Sequence, residues 1–175
     1  MRKKITVVFL LFSILIFVTS CNLLSKLTNN EGEQIEAMSE EIIRCLTEND
    51  QAGFAELFCE KIKGTEGFDR QIEEVFSFFK CDSYLRSEIK TTAGGGGLTE
   101  FGQKTEWYVT PEITYIEVLI VPDGAPEQMY SRYYRVEYYY QMIDKNHPEL
   151  EGLHGFEIEL INLEDHVTIG TWPAR

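Results

Sequence analysis

The sequence predicts an α+β domain: about three N-terminal helices packed on an antiparallel sheet of five to six strands. Three observations point there. Apolar residues recur at helical spacing from Glu31 to Lys80. After Cys81 the pattern switches to strand-like alternation, cut into segments by Gly, Pro, Asn and Asp. Runs of strands that follow runs of helices give layered α+β folds with antiparallel sheets, the helices covering one face. The chain has 175 residues, 43% apolar and 13% aromatic, enough for one domain with a true core.

Residues 1–20 read as a lipoprotein signal peptide. Arg2, Lys3 and Lys4 form a basic start, and Ile5 to Val18 is apolar except for Thr6 and Ser13. Those 14 residues would make a helix of about 21 Å, short of the roughly 20 residues that span a bilayer. Val18-Thr19-Ser20-Cys21 follows: an aliphatic residue, two small ones and a cysteine, the pattern of a bacterial lipobox. Small side chains admit the peptidase, cleavage is expected between Ser20 and Cys21, and the Cys21 thiol carries a diacylglycerol that anchors by burying about 0.8 kcal/mol per CH2. Residues 21–30 then form a lipidated tether, and residues 31–175 the folded domain. The expected location is the outer face of the cell membrane.

Asn30 with Glu33 forms a capping box for a helix over Glu31–Thr47, with Ile35, Met38, Ile42, Cys45 and Leu46 on its apolar stripe. Asn49-Asp50 stops it and caps a second helix that reaches about Lys61 and carries Phe58. A third is expected over Phe68–Lys80, with Ile72, Val75, Phe76 and Phe79 in line. Leu85 and Ile89 alternate with charges as in a half-exposed strand, and Gly94–Gly97 reads as a flexible loop. Further strands are expected at Glu106–Val109, Thr114–Val121, Met129–Met142, Gly155–Leu163 and Val167–Thr171. Each long strand has a clean apolar side and a mixed side. Tyr134, Val136 and Tyr138 oppose Tyr133, Arg135, Glu137 and Tyr139; Ile116 and Val118 oppose Tyr115 and Glu117; Phe156 and Ile158 oppose Glu157 and Glu159. Ile42, Phe58, Phe76 and Phe79 are expected to meet Ile116, Val118, Phe156 and Ile158 in the core.

Composition excludes several functions. The net charge is −13 and, without the three cations of the first twenty residues, −16. Such a body lacks the Lys and Arg that displace counterions from nucleic acid, and anionic head groups repel it. The glycine run lacks the lysine of a phosphate loop. His147, His154 and His166 have no metal-binding spacing, and no CxxC occurs, so neither metal nor cofactor is expected. Cys45, Cys59 and Cys81 read as buried hydrophobes, with Cys59–Cys81 as the pair if a disulfide forms. Glu157 and Glu159, two apart on one strand side, read as solvated surface rather than a glycosidase pair.

Ile35-Glu-Ala-Met38, Asn49-Asp50-x-x-x-Phe54, Gln71-Ile72-x-x-x-Phe76-x-Phe78-Phe79 and Tyr133-Tyr134-x-x-x-x-Tyr138, behind a lipobox, resemble uncharacterised lipoproteins of Gram-positive bacteria grouped as a domain of unknown function. The resemblance implies a cone similar to nuclear transport factor 2, cystatin-like, in which three helices close over a curved sheet. It implies no catalytic residues, and the fold hosts enzymes, binding modules and dimerisation modules alike. Ketosteroid isomerases in this cone pair a tyrosine hydroxyl with a protonated acid; here Glu137 points away from the tyrosine side. Two readings of the tyrosines remain. Trp107, Tyr134 and Tyr138 line a pocket between helices and sheet, or that space is filled by its own aromatics. The functional expectation is a lipid-anchored binding or interaction module without catalysis. Its mixed sheet face, with Tyr133, Arg135 and Tyr139, docks a second protein or a second copy. The alternative is a small-molecule enzyme or ligand carrier using the cavity.

Overall fold

The computed structural model describes residues 31–125, 127–163 and 165–172. Ser20, Cys21 and the tether lie outside the described residues. The chain divides into two units, Met1–Gln34 and Ile35–Arg175. Of the first, only the opening turn of a helix is described. The second is an α+β unit with a five-stranded antiparallel sheet.

Helix α1 spans Glu31–Glu48, and Ile35, Ile42, Cys45 and Leu46 on its stripe are buried. Asn49 takes a left-handed conformation (φ 57°), which Asn tolerates, and the Asp50 N–H closes on the Cys45 carbonyl at 2.8 Å. Asp50 then caps α2 (Gln51–Glu56) by accepting from the Gly53 N–H at 2.9 Å, as expected of this residue pair. The second helix does not continue to Lys61. Leu57–Cys59 leaves it for a short bridge to a distant strand: the Leu153 N–H bonds the Leu57 carbonyl at 2.8 Å and the Cys59 N–H bonds the Leu153 carbonyl at 3.1 Å. Those bonds replace helical ones and turn Phe58 into the core. At Gly152 (φ 126°) a Cβ would lie 3.0 Å from the Cys59 nitrogen and the Leu57 oxygen, so the approach needs glycine. The short α3 (Glu60–Lys63) follows, then α4 (Phe68–Phe78), with Ile72, Val75 and Phe76 buried.

Strands β1 (Ser83–Glu100), β2 (Gln103–Ile120), β3 (Tyr130–Asp144), β4 (Gly152–Leu160) and β5 (His166–Gly170) pair in sequence order, and a 3-10 turn at Pro148–Leu150 precedes β4. The glycine run is not a loop. Gly94–Gly97 lies inside β1, opposite Thr110 to Trp107 of β2. The two strands expected at 106–109 and 114–121 are one. Its Pro111, which has no N–H for the ladder, sits where β1 loses register between Lys90↔Glu112 and Gly94↔Thr110. A second irregularity between Ile113 and Ile116 shifts the alternation, so both residues are buried on the same side.

The helices cover that side. Ile42, Phe58, Phe76, Phe79, Ile116, Val118, Phe156 and Ile158 share one core cluster, as the alternation requires. Phe54 is its aromatic hub, edge-on to Phe58, Phe76 and Phe156 at centroid distances of 5.5, 5.5 and 5.0 Å. No helix among the described residues is long and apolar enough to cross a membrane.

Candidate functional site

Between helices and sheet the described apolar side chains gather in one buried cluster. Tyr134 and Tyr138 are wholly buried, and the fold consumes their hydroxyls. Tyr138 shares a 2.7 Å hydrogen bond with the Ser39 hydroxyl and also lies 3.1 Å from the Ile35 carbonyl. Burial, the leading cause, pushes its phenol well above the ordinary tyrosine range. The Tyr134 hydroxyl accepts from the Lys80 N–H at 2.9 Å and faces the Phe78 carbonyl at 3.3 Å, closing the end of α4. Trp107 does not join them. It packs in a separate cluster with Ile35, Val109 and Met142, and the Lys104 ammonium sits 3.7 Å over its ring. Tyr134 and Tyr138 are therefore core tyrosines, and Trp107, the third residue named for a possible pocket, is not brought beside them.

A cleft does open at one end of the layers, with a volume of about 660 Å³. The ends of α1 and α4, the end of β2 and the start of β3 form it, and Lys80, Asp82, Asp123, Tyr130 and Arg132 supply its polar groups. Sequence reasoning assigned no role to Arg132. Alternation along β3 was the available signal, since it places this arginine with Tyr134 on the helix side.

The outward side of the sheet holds the mixed residues in a lattice of contacts. Glu117, expected on the mixed side of its strand, is on that side and buried. It accepts from Arg86 on β1 and, at 2.7 Å, from the Tyr133 hydroxyl on β3; these two bonds, Arg86 first, hold its carboxyl below the usual range. Arg86 also stacks over Tyr115, 5.7 Å from the ring centre. Arg135 pairs with Glu159 of β4 at 2.9 Å. Tyr139 packs edge-on to Tyr108 at 5.2 Å and against His154. Across the middle, Glu112, Glu137 and Glu157 stand opposite one another on β2, β3 and β4, and Lys90 of β1 pairs with Glu112. Tyr133, Arg135 and Tyr139 therefore do share one face, each tied to neighbours within the chain.

Cys45, Cys59 and Cys81 are free thiols, and Cys59–Cys81 is not bonded. Burial pushes the Cys45 thiol up to about 11, which makes it a poor nucleophile. His147 faces Glu149, and His154 bonds the Leu150 carbonyl at 2.6 Å. Among the described residues no group of three or more His, Cys, Asp or Glu could hold a metal.

With this geometry in view, comparison with known families is informative about only part of the chain. A domain of unknown function, DUF5104, is found at residues 41–118. DUF5104 thus takes in the C-terminal part of α1, the other helices, β1 and nearly all of β2. Tyr133, Arg135, Tyr139 and Arg132 fall outside it. No curated protein matches the chain.

Proposed function

We propose that this chain is a lipid-anchored extracytoplasmic binding module, held at the membrane through Cys21, which docks a protein with a Lys- and Arg-rich surface on the outward face of its sheet. The observation that carries the reading is the register of Glu112, Glu137 and Glu157 across three neighbouring strands. Like charges directly opposite cost stability, and a sheet serving only as solvated surface would alternate their signs. Tyr115, Tyr133 and Tyr139 frame this row and add amphipathic contact area of the kind enriched at interfaces. The burial of Tyr134 and Tyr138 supports the same reading, because their hydroxyls are spent on Ser39 and Lys80 within the fold.

Charge argues for a basic partner over a second copy. Two chains of −13 repel, and Arg135, the residue that would meet a mate's glutamates, already pairs with its own Glu159. The lipobox and the apolar stretch before it support the anchor. We read the sheet as curved, in the manner of the nuclear-transport-factor-2-like cone, since bulges at Tyr84/Arg86, Ile113/Ile116 and Tyr139/Tyr140 bend strands and raise twist.

The test is binding of fluorescent oligo-lysine and oligo-glutamate peptides to the purified full chain, together with sedimentation. Oligo-lysine should bind, weaken steeply with salt and weaken further in Tyr133→Ala/Tyr139→Ala, while the chain sediments as a monomer. Equal binding of both peptides, or a dimer that Tyr133→Ala/Tyr139→Ala dissociates, would contradict this reading.

A further inference from the structure

The end cleft is lined by residues distinct from those of the outward sheet face. Among the described arginines, Arg44, Arg70, Arg86 and Arg135 each reach a carboxylate, at 2.7, 3.5, 2.5 and 2.9 Å. Arg132 reaches none. In a chain where Asp and Glu outnumber Lys and Arg by 29 to 16, a guanidinium without a carboxylate stands out. Its two terminal nitrogens donate to the hydroxyls of Tyr134 and Tyr130 at 3.3 Å each, and it lies 5.9 Å from the Tyr130 ring centre. Both bonds are long for an arginine. Tyr134 is fixed by the backbone of Phe78 and Lys80, so it can steady the guanidinium without neutralising it. The remaining N–H donors of the fork are available to a stronger acceptor.

The rest of the lining says what kind of acceptor. Lys80 adds a second cation, while Asp82 and Asp123 add two anions, so the four charges cancel. Asp82 is anchored by the Val121 N–H at 2.6 Å, which keeps its charge in place on the rim. A neutral balance of separate charges suits a ligand that carries both signs and disfavours a multiply charged anion such as phosphate. Leu46, Phe79 and Ile120 supply apolar wall beside the charges. The volume of about 660 Å³ lies within the usual span of small-molecule sites.

We propose that the cleft binds a small zwitterion with an apolar side chain, an α-amino acid or a short peptide. Its carboxylate sits on Arg132, assisted by Lys80, and its ammonium on the Asp82 and Asp123 side. Arginine suits this role because its planar fork matches a carboxylate in two parallel bonds.

Titration calorimetry on the purified full chain tests the assignment, with leucine and dileucine as zwitterions, N-acetylleucine as a carboxylate without the ammonium, leucinamide as an amine without the carboxylate, and inorganic phosphate. Leucine or dileucine should bind, and leucinamide should bind at least about tenfold more weakly, the scale of one lost charge-assisted bond. Arg132→Gln should lose binding by a similar factor, with Arg132→Lys retaining part of it. Asp123→Asn should weaken dileucine more than N-acetylleucine, a comparison that stays informative should Arg132→Gln fail to fold. Phosphate binding tighter than dileucine, leucinamide matching leucine, unchanged binding in Arg132→Gln, or no heat from any ligand at millimolar concentration would each overturn it.

Discussion

Replacing Tyr138 with Phe removes one hydroxyl from the centre of the molecule and leaves the ring in place. That hydroxyl links β3 to α1 through the Ser39 hydroxyl at 2.7 Å and the Ile35 carbonyl at 3.1 Å, and both Tyr138 and Ser39 are wholly buried. Without it, the Ser39 hydroxyl can turn to the Ile35 carbonyl four residues back, so the loss stays near one buried hydrogen bond, about 1–1.5 kcal/mol. Ser39→Ala leaves Tyr138 its carbonyl partner and should cost less, about 0.5–1 kcal/mol. The two changes together should fall short of their sum by about 0.5 kcal/mol or more, the signature of a shared bond. Urea unfolding of the single and double variants measures this, and each kcal/mol should move the melting temperature by about 3–5 °C in a domain of this size. Burial also raises the folded-state pKa of Tyr138 above its unfolded value near 10. The neutral phenol thus contributes stability that is complete below pH about 10 and is lost as pH rises beyond it, because the unfolded chain ionises first. Tyr138→Phe should lose less stability in base than the parent does. A cost below about 0.3 kcal/mol without coupling, or a phenol that titrates normally, would mean that water reaches this hydroxyl and that the interior is an open pocket.

Phe54→Ala should cost about 3–5 kcal/mol in the same assay, since Phe54 is wholly buried and edge-on to three rings; a loss under about 1 kcal/mol would show that the helices do not pack on the sheet this way. Gly97→Ala should disrupt the far half of the β1–β2 hairpin, because Gly97 has φ 152° and a Cβ there would fall 2.0 Å from the Glu106 oxygen. Amide exchange should speed at residues 94–110, and unchanged protection would refute the close pairing. Glu117 has a folded-state pKa below its ordinary value of 4.5, so its contribution is complete above that pH and is lost as the pH falls further. Glu117→Gln should flatten the acid limb of the stability profile, and an identical limb would remove Arg86 and Tyr133 as its partners.

Helical spacing located α1 and α4, and strand alternation assigned the buried side of β3 and β4, because both follow from local periodicity against one core. The stop and cap at Asn49-Asp50 were legible for the same reason. The end of α2 was not: Leu57 and Cys59 bond Leu153, far along the chain, and no local pattern announces it. The glycine run looked like a loop because glycine is permissive, yet the β2 backbone at Glu106 approaches too closely for a side chain. The burial of Glu117 was not legible because alternation gives a face and says nothing of neighbours; Arg86 and Tyr133, from two other strands, cover it. The cleft escaped notice because it joins the ends of four elements, and only the side of β3 that Arg132 occupies was written in the sequence.

The proposed docking face meets its most direct test in living cells, with a photo-activated cross-linking residue placed in turn at Tyr139 and Glu157 on the outward face of the sheet and at the exposed Glu40 on α1. The account predicts that Tyr139 and Glu157 capture the same protein, through a segment rich in Lys and Arg, that the yield in isolated membranes falls as salt is raised, and that Glu40 captures far less. Capture of a second copy of the chain, or equal capture from all three positions, would contradict it.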